Sequence, residues 1–240
     1  MGGHAIIMLY NLMMEEKFES IANEYDKWFD TPIGATVKAL ELDAILGLLG
    51  DITNKKLLEV GIGTGAFAVE FKKRAAEVYG VDPANNMLEV AQRRGLMVKF
   101  GYGEAIPFED NTFDAVVSIT AMENSKDPDK FVKEMVRVAK PHGTIVIAVL
   151  NLFSLMGISR RIRGLFIKDD FYRGMHFYTY GELRRLAKNN ICFVHETSAV
   201  FFNQSPPQFV LTHAQALEKF GRKYLKPFGA LIIIGGKKCS

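Results

Sequence analysis

Two carboxylates and three glycines close together are the residues of this 240-residue chain whose types and spacing could do chemistry. Glu59 stands in the apolar run 57–60, two positions ahead of Gly61, and Gly63 and Gly65 follow at alternate positions. Asp82 ends the next apolar run, 78–81, where Pro83 fixes it at a strand end. A carboxylate inside an apolar strand is costly unless a cation or hydrogen-bond donors meet it. Alternating glycines let the chain turn sharply and let a ligand approach the backbone with no Cβ in the way. An acid closing the second strand is placed to accept from ribose hydroxyls. A bare strand-to-helix turn would need one glycine, so the set predicts a nucleoside-bearing ligand on the turn. Gly61-x-Gly63-x-x-Ala66 also satisfies the dinucleotide fingerprint, so the glycines alone leave a nicotinamide dinucleotide and an adenosine cofactor both open. Glu59 favours the second if the ligand is cationic, because a pyrophosphate would add repulsion.

The elements that must position these residues follow from hydrophobic periodicity. Apolar runs at 57–60, 78–81, 97–100, 114–118 and 144–150 alternate with helix-spaced segments. That alternation implies right-handed crossovers and a doubly wound, mostly parallel α/β sheet. Runs at 191–202 and 229–238 predict two more strands, for seven in all, closing the sheet at a partly antiparallel edge. Ahead of the sheet, Phe18, Ile21, Ala22, Tyr25, Trp28 and Phe29 mark an amphipathic helix from Glu15 to Trp28. Thr31-Pro32-Ile33-Gly34 breaks it, and a second helix runs from Ala35 to Leu49. Residues 151–190 are too long for a simple connection and predict a helical cap over the carboxyl edge. The expected organisation is an N-terminal helical lid (1–54), a cofactor-binding core (55–150), a substrate cap (151–190) and C-terminal strands completing the sheet (191–240).

Four strings occur in order: "LLEVGIGTG", "GVDPANNML", "GEAIPFEDNTFDAVVS" and "VRVAKPHGTIVIA". Together they resemble the class I S-adenosylmethionine-dependent methyltransferases, most nearly the small-molecule branch with the ubiquinone and menaquinone biosynthesis enzymes. The resemblance implies S-adenosylmethionine as cofactor and transfer of its methyl group to a small molecule. It places Glu59 under the cofactor's amino-acid part, with the turn Gly61, Ile62, Gly63, Thr64 and Gly65 as its cradle. Asp82 would bind the ribose, Pro83 and Met87 would pack beside the adenine, and Gly103 and Glu104 would meet the adenine edge. Ser118 and Thr120 would lie near the methionyl part, and Tyr25 and Trp28 would close the lid. Two departures stand out. Tyr102 occupies the place of an adenine-binding Asp, and Asn124 that of a histidine, so no histidine base carries over.

Candidate bases are Glu123, near the cofactor, and His176 or Tyr178 in the aromatic segment of the cap. The segment Thr179-Tyr180-Gly181-Glu182 predicts a capped helix start. Charge divides unevenly: residues 1–150 carry 16 Lys and Arg against 22 Asp and Glu, and residues 151–240 carry 14 against 5. The segment 154–168 mixes Arg160, Arg161, Arg163 and Lys168 with Leu155, Ile158, Ile162, Leu165 and Phe166. It reads first as a solvated basic face over a packed apolar stripe. It also suits an anionic or lipid-like acceptor, or peripheral contact with a membrane. Nucleic acid is disfavoured as acceptor: "SITAMEN" lacks the Asn/Asp-Pro-Pro-aromatic signature of base amino methylation, and no Pro-Cys nucleophile is present. Cys192 and Cys239 have neither zinc nor redox spacing, so no metal is expected, and a reducing, cytoplasmic setting is the default. The apolar opening 5–14 is too short to span a bilayer and predicts a packed helix or an over-long start ahead of Met13 or Met14.

Overall fold

The computed structural model describes residues 25–239 apart from 75–76, 167–171, 173, 189 and 204, and apart from the side chains of residues 25, 164 and 165. Its seven strands are β1 (Lys56–Val60), β2 (Glu77–Asp82), β3 (Met97–Phe100), β4 (Phe113–Ile119), β5 (Ala139–Leu150), β6 (Ile191–Ala199) and β7 (Leu231–Lys238). They form one sheet in the order β3-β2-β1-β4-β5-β7-β6. The first five pair in parallel, and β7 runs antiparallel to both β5 and β6. This is the doubly wound α/β architecture, with the antiparallel edge, that the alternation predicts.

The helices are α1 (Pro32–Leu49), α2 (Ala68–Lys72), α3 (Asn85–Arg93), α4 (Pro128–Val138), α5 (Leu155–Phe166), α6 (Tyr180–Ala187), α7 (Gln208–Thr212) and α8 (Ala214–Tyr224). Side chains alternate across a strand, so each strand feeds two cores. Leu57, Val117, Val146, Ala148 and Ile233 pack with α1, α2 and α3 on one face. Leu58, Val116, Ile145, Ile147, Val149 and Ile234 pack with α4 and α6 on the other. Strand order reverses between β1 and β4, and open α/β sheets bind ligands at the carboxyl edge beside such a point. The glycine turn leaves β1 there.

Three sequence expectations are corrected. The second helix starts at Pro32 rather than Ala35, because Thr31 caps it, its side chain accepting from Gly34 N at 3.1 Å, and proline suits the first helical position. The fifth strand starts at Ala139 rather than at 144, with Pro141-His142-Gly143 bulging within it: Phe113 pairs with Ala139 and Ala115 with Thr144, and His142 has φ 60°. The sixth strand ends at Ala199 rather than Phe202. The N-terminal helix expected over 15–28 lies outside the described residues except for Tyr25–Trp28, which form a 3-10 turn. The expected helix or start within 5–14 lies outside them altogether.

The cysteines are also corrected. Cys192 and Cys239 form a disulfide, Cα atoms 5.2 Å apart, because β6 and β7 lie side by side and bring together residues 47 apart in sequence. Cysteine usage therefore no longer argues for a reducing compartment. Among the described residues, no helix is long and apolar enough to cross a membrane. The bond ties an edge strand to its neighbour, and cross-links of this kind stabilise by about 2–4 kcal/mol, mainly by restricting the unfolded chain. Reduction, or the Cys192→Ser/Cys239→Ser pair, should lower the melting temperature by several degrees in calorimetry. An unchanged melting temperature would show that the bond contributes nothing.

Candidate active site

Beyond β1 the chain makes a tight loop into α2. Gly61 N and Ile62 N both donate to Val81 O, at 2.8 and 3.1 Å, and Gly65 N donates to Ile62 O at 2.9 Å. Gly61, Gly63 and Gly65 all have positive φ, but their surroundings differ. A Cβ at Gly61 would lie 2.1 Å from Ala121 Cβ, and one at Gly65 would lie 2.2 Å from Leu96 Cδ1. At Gly63 it would meet nothing within 4 Å. Two glycines thus let the loop pack, and the central one leaves open the space into which the loop's backbone faces. Gly65 is a packing residue and does not line the cavity.

Asp82, at the end of β2, stiffens this loop. Its Oδ2 accepts from Gly63 N at 2.8 Å and its Oδ1 from Ala84 N at 2.9 Å. Glu59 lies in β1 opposite Gly80, 2% exposed, with Oε2 lacking any hydrogen-bond partner. Burial first, and the neighbouring Asp82 second, push its carboxyl well above the usual carboxylate range, against the backbone of Ala68. An orphaned buried carboxyl beside open space fits a cationic ligand group. The residues present therefore fit an adenosine cofactor with a positively charged amino-acid arm.

These residues end in one cavity of about 650 Å³. Glu59, Gly61, Ile62, Gly63, Thr64, Asp82, Pro83, Met87, Gly103, Glu104 and Thr120, all anticipated for the cofactor, lie on its wall. Tyr102 and Asn124, the two departures, lie there too, and Asn124 Oδ1 is buried without a partner. Ser118 does not reach the wall; it is buried within β4, paired with Val60 and Ile147. Glu104 is occupied in holding two loops together, its Oε1 accepting from Ser125 Oγ at 2.6 Å and Lys126 N at 3.1 Å. Gly103 is glycine because a Cβ there would sit 2.0 Å from the Phe131 ring.

The 3-10 turn closes over the glycine loop through a clasp the sequence reading did not contain. Thr64 Oγ1 donates to Asp26 Oδ1 at 2.8 Å, Arg94 donates to Thr64 O at 3.0 Å, and Arg94 also pairs with Asp26. Trp28 reaches the cavity mouth and Phe29 stacks edge-on against Phe67 at 6.1 Å. The side chain of Tyr25 lies outside the described residues. Arg94→Ala should free the turn and weaken cofactor binding by roughly up to tenfold, the scale of a part-exposed ion pair with its hydrogen bonds. Calorimetric titration of the variant would check it, and unchanged affinity would show the clasp to be incidental.

None of the three candidate bases lines the cavity. Glu123 is 2% exposed, takes a hydrogen bond from Leu150 N at 2.6 Å, and is pushed up to about 7 by burial, with Leu150 and Arg160 opposing. His176 is half exposed and its Nε2 lies 3.0 Å from Glu182 Oε1. Glu182 itself completes the expected capping box with Thr179. Tyr178 is buried and donates to Met122 O at 3.0 Å. The chain path puts these groups behind the wall. Other charged side chains line it instead, among them Glu41 of α1 and Arg160 and Arg163 of α5. The signal for Glu41 was its spacing from Val37 and Ala44, which sets an acid on an otherwise buried helix face. Helix α5 also departs from its expectation: Leu155, Ile158, Ile162 and Phe166 are exposed along with Arg161 and Arg163, while Arg160 is buried. The side chain of Leu165 and all of Lys168 lie outside the described residues.

Residues 58–147 match the methyltransferase domain family. The chain is 33% identical over 171 residues to the uncharacterized protein MJ1123 of Methanocaldococcus jannaschii, covering 71% of this chain and 78% of that protein. It is 30% identical over 182 residues to the ubiquinone biosynthesis O-methyltransferase of Bordetella bronchiseptica, covering 68% and 71%. Among solved structures, it superposes on an S-adenosylmethionine-dependent methyltransferase of Thermotoga maritima, described as a possible histamine N-methyltransferase, with TM-score 0.74, 27% identity, and 93% and 99% of the two chains covered. Taken with the glycine turn, the paired acids and the sheet order, these similarities show that the chain belongs to the S-adenosylmethionine-dependent methyltransferases.

Proposed function

We propose that the cavity holds S-adenosylmethionine at its glycine end and a small, largely apolar methyl acceptor at the other, and that the chain transfers the methyl group between them. The observation that carries this is the continuity of the cavity. Its lining joins Gly63, Asp82 and Met87 to the apolar side chains Ile33, Val37, Leu150 and Met156. The name of the Bordetella relative, a quinone-pathway O-methyltransferase, agrees with a small acceptor.

When bound, the cofactor supplies an electrophilic methyl group on a sulfonium sulfur. The chain's own residues then bind, orient and exclude water. Glu59 meets the ammonium of the amino-acid arm, the backbone of Gly61 to Thr64 cradles that arm, and Asp82 accepts from the ribose hydroxyls. Pro83 and Met87 flank the adenine, and Gly103 with Tyr102 faces its edge. Residues 151–190 serve as the acceptor's cap, through Met156, Arg160, Tyr172 and Met175. Holding donor and acceptor in line can supply about 7–11 kcal/mol of the barrier reduction. An apolar, water-poor end favours a displacement that consumes charge.

Calorimetric titration with S-adenosylmethionine, followed by a screen of phenolic, amine and carboxylate acceptors with labelled donor, tests this reading. Asp82→Ala should weaken the cofactor by roughly tenfold to a hundredfold, the scale of hydrogen bonds to a charged group. Cofactor affinity untouched by that change would overturn the ribose assignment, and methylation confined to transfer RNA would overturn the small acceptor.

A further inference from the structure

We propose that Arg160 is the anchor of the acceptor site, binding an oxyanion group, a carboxylate being the planar case, on an otherwise apolar acceptor, with Glu41 on the wall of the same cavity. The inference rests on the reading that this end of the cavity holds the acceptor.

Arg160 is only 8% exposed, and its Nε is buried without a hydrogen-bond partner. Its guanidinium lies over the Tyr172 ring, 4.3 Å from the centroid, which orients the plane without neutralising the charge. Among the described residues no carboxylate lies within ion-pair distance of it, although Arg94, Arg137 and Arg222 all find one. The cavity that Arg160 lines also has the apolar side chains Leu150, Met156, Met175 and Ala230 on its wall. A buried guanidinium without an anion is destabilising, and its fork of donors matches an oxyanion. Helix α5 accepts this burial while leaving Ile158, Ile162 and Phe166 in solvent. An apolar stripe packed inward would have been the cheaper arrangement. The exposed alternative makes sense if Arg160 serves a ligand.

The charged groups that face this end come from several elements. Glu41 projects from α1, and Arg163 lies one turn along α5. Glu123 sits behind Leu150, satisfied on one oxygen by that residue's N–H. Glu218 of α8 lies beyond Glu41 and is already engaged by Arg222 at 3.0 Å. Burial pushes the Glu41 carboxyl up to about 8, with Arg160 opposing and Glu218 and Glu123 adding to the rise. Near neutral pH Glu41 is therefore mostly protonated and leaves Arg160 to a ligand. As pH rises through about 8, Glu41 ionises, offsets the charge of Arg160 and repels an incoming anion.

Titration of the full-length protein, with and without S-adenosylhomocysteine, by benzoate, phenyl phosphate, benzamide and benzylamine between pH 6 and 9 tests the proposal. Benzoate or phenyl phosphate should bind about tenfold or more tightly than benzamide near neutrality, and whichever of the two leads identifies the oxyanion. Binding should weaken as pH passes 8, and Glu41→Gln should flatten that fall, leaving a smaller step near 7 from Glu123. Arg160→Gln should abolish the preference while S-adenosylhomocysteine binds as before, which also shows that the fold is intact. If Arg160→Gln does not fold, the charge-conserving Arg160→Lys should keep a weakened preference. No anion preference in the wild type, a preference that survives loss of the guanidinium, or tighter binding of benzylamine would each overturn the proposal. Failure of S-adenosylhomocysteine to bind the wild type would instead overturn the cofactor assignment, and the anion titrations without it would still decide the role of Arg160.

Discussion

Gly63→Leu is expected to lower the affinity for S-adenosylmethionine by about a hundredfold or more, equivalent to about 2.7 kcal/mol, and to leave the protein folded. At φ 51° a side chain costs roughly 1–2 kcal/mol in the left-handed region, which a domain of this size tolerates. The new Cβ meets no protein atom within 4 Å, so the damage falls on whatever occupies that space. Gly65→Ala makes the contrast. Its Cβ would strike Leu96 Cδ1 at 2.2 Å, inside the core that joins α2 to α3, so stability should fall while the cavity wall stays unchanged. Parallel measurement of melting temperature and calorimetric affinity for the two variants separates the roles. If Gly63→Leu binds the cofactor normally, the turn does not cradle it.

The contrast between those glycines also shows how far the sequence could be read. That several glycines follow β1 pointed to a backbone needing positive φ and close approach, and period-two and period-3.6 patterning placed the strands and crossovers around it. Which glycine faces a ligand depends on Ala121 and Leu96, residues distant in sequence, and no local pattern carries that. The same reason hid the disulfide, made by the pairing of β6 with β7, and the clasp among Asp26, Thr64 and Arg94. The bases were misplaced for a related reason. Residue type marked Glu123, His176 and Tyr178 as chemically able, but only the chain path shows them behind the wall, in contact with Leu150, Glu182 and Met122. Glu41 was legible in principle as an acid at core spacing. Arg160 was not, because Arg161 and Arg163 on the same helix are exposed and no local pattern marks which of the three arginines is buried.

Glu59→Gln should act in opposite directions on the free protein and on its complex, because the carboxyl that destabilises the first is the one that the cofactor's cation requires. Buried with one oxygen unpartnered, Glu59 keeps its proton well above the ordinary carboxylate range. In the unfolded chain it ionises within that range. Between the two values the folded state holds a proton that the unfolded state has released, so the stability of the free protein falls as pH rises through this window. Glu123 and Glu41, pushed up to about 7 and about 8, add to the same slope. Glutamine cannot ionise, so the variant should show a shallower decline and melt higher than the wild type at pH 8 without ligand. Its affinity for S-adenosylmethionine should drop by roughly 30-fold or more, the scale of removing one partner from a buried charge pair. Binding by the wild type should release a proton as Glu59 ionises against the ammonium, visible as a buffer-dependent heat that the variant lacks. Equal affinity in the two proteins, or the same buffer dependence in both, would separate Glu59 from the cofactor and leave its burial unexplained by function.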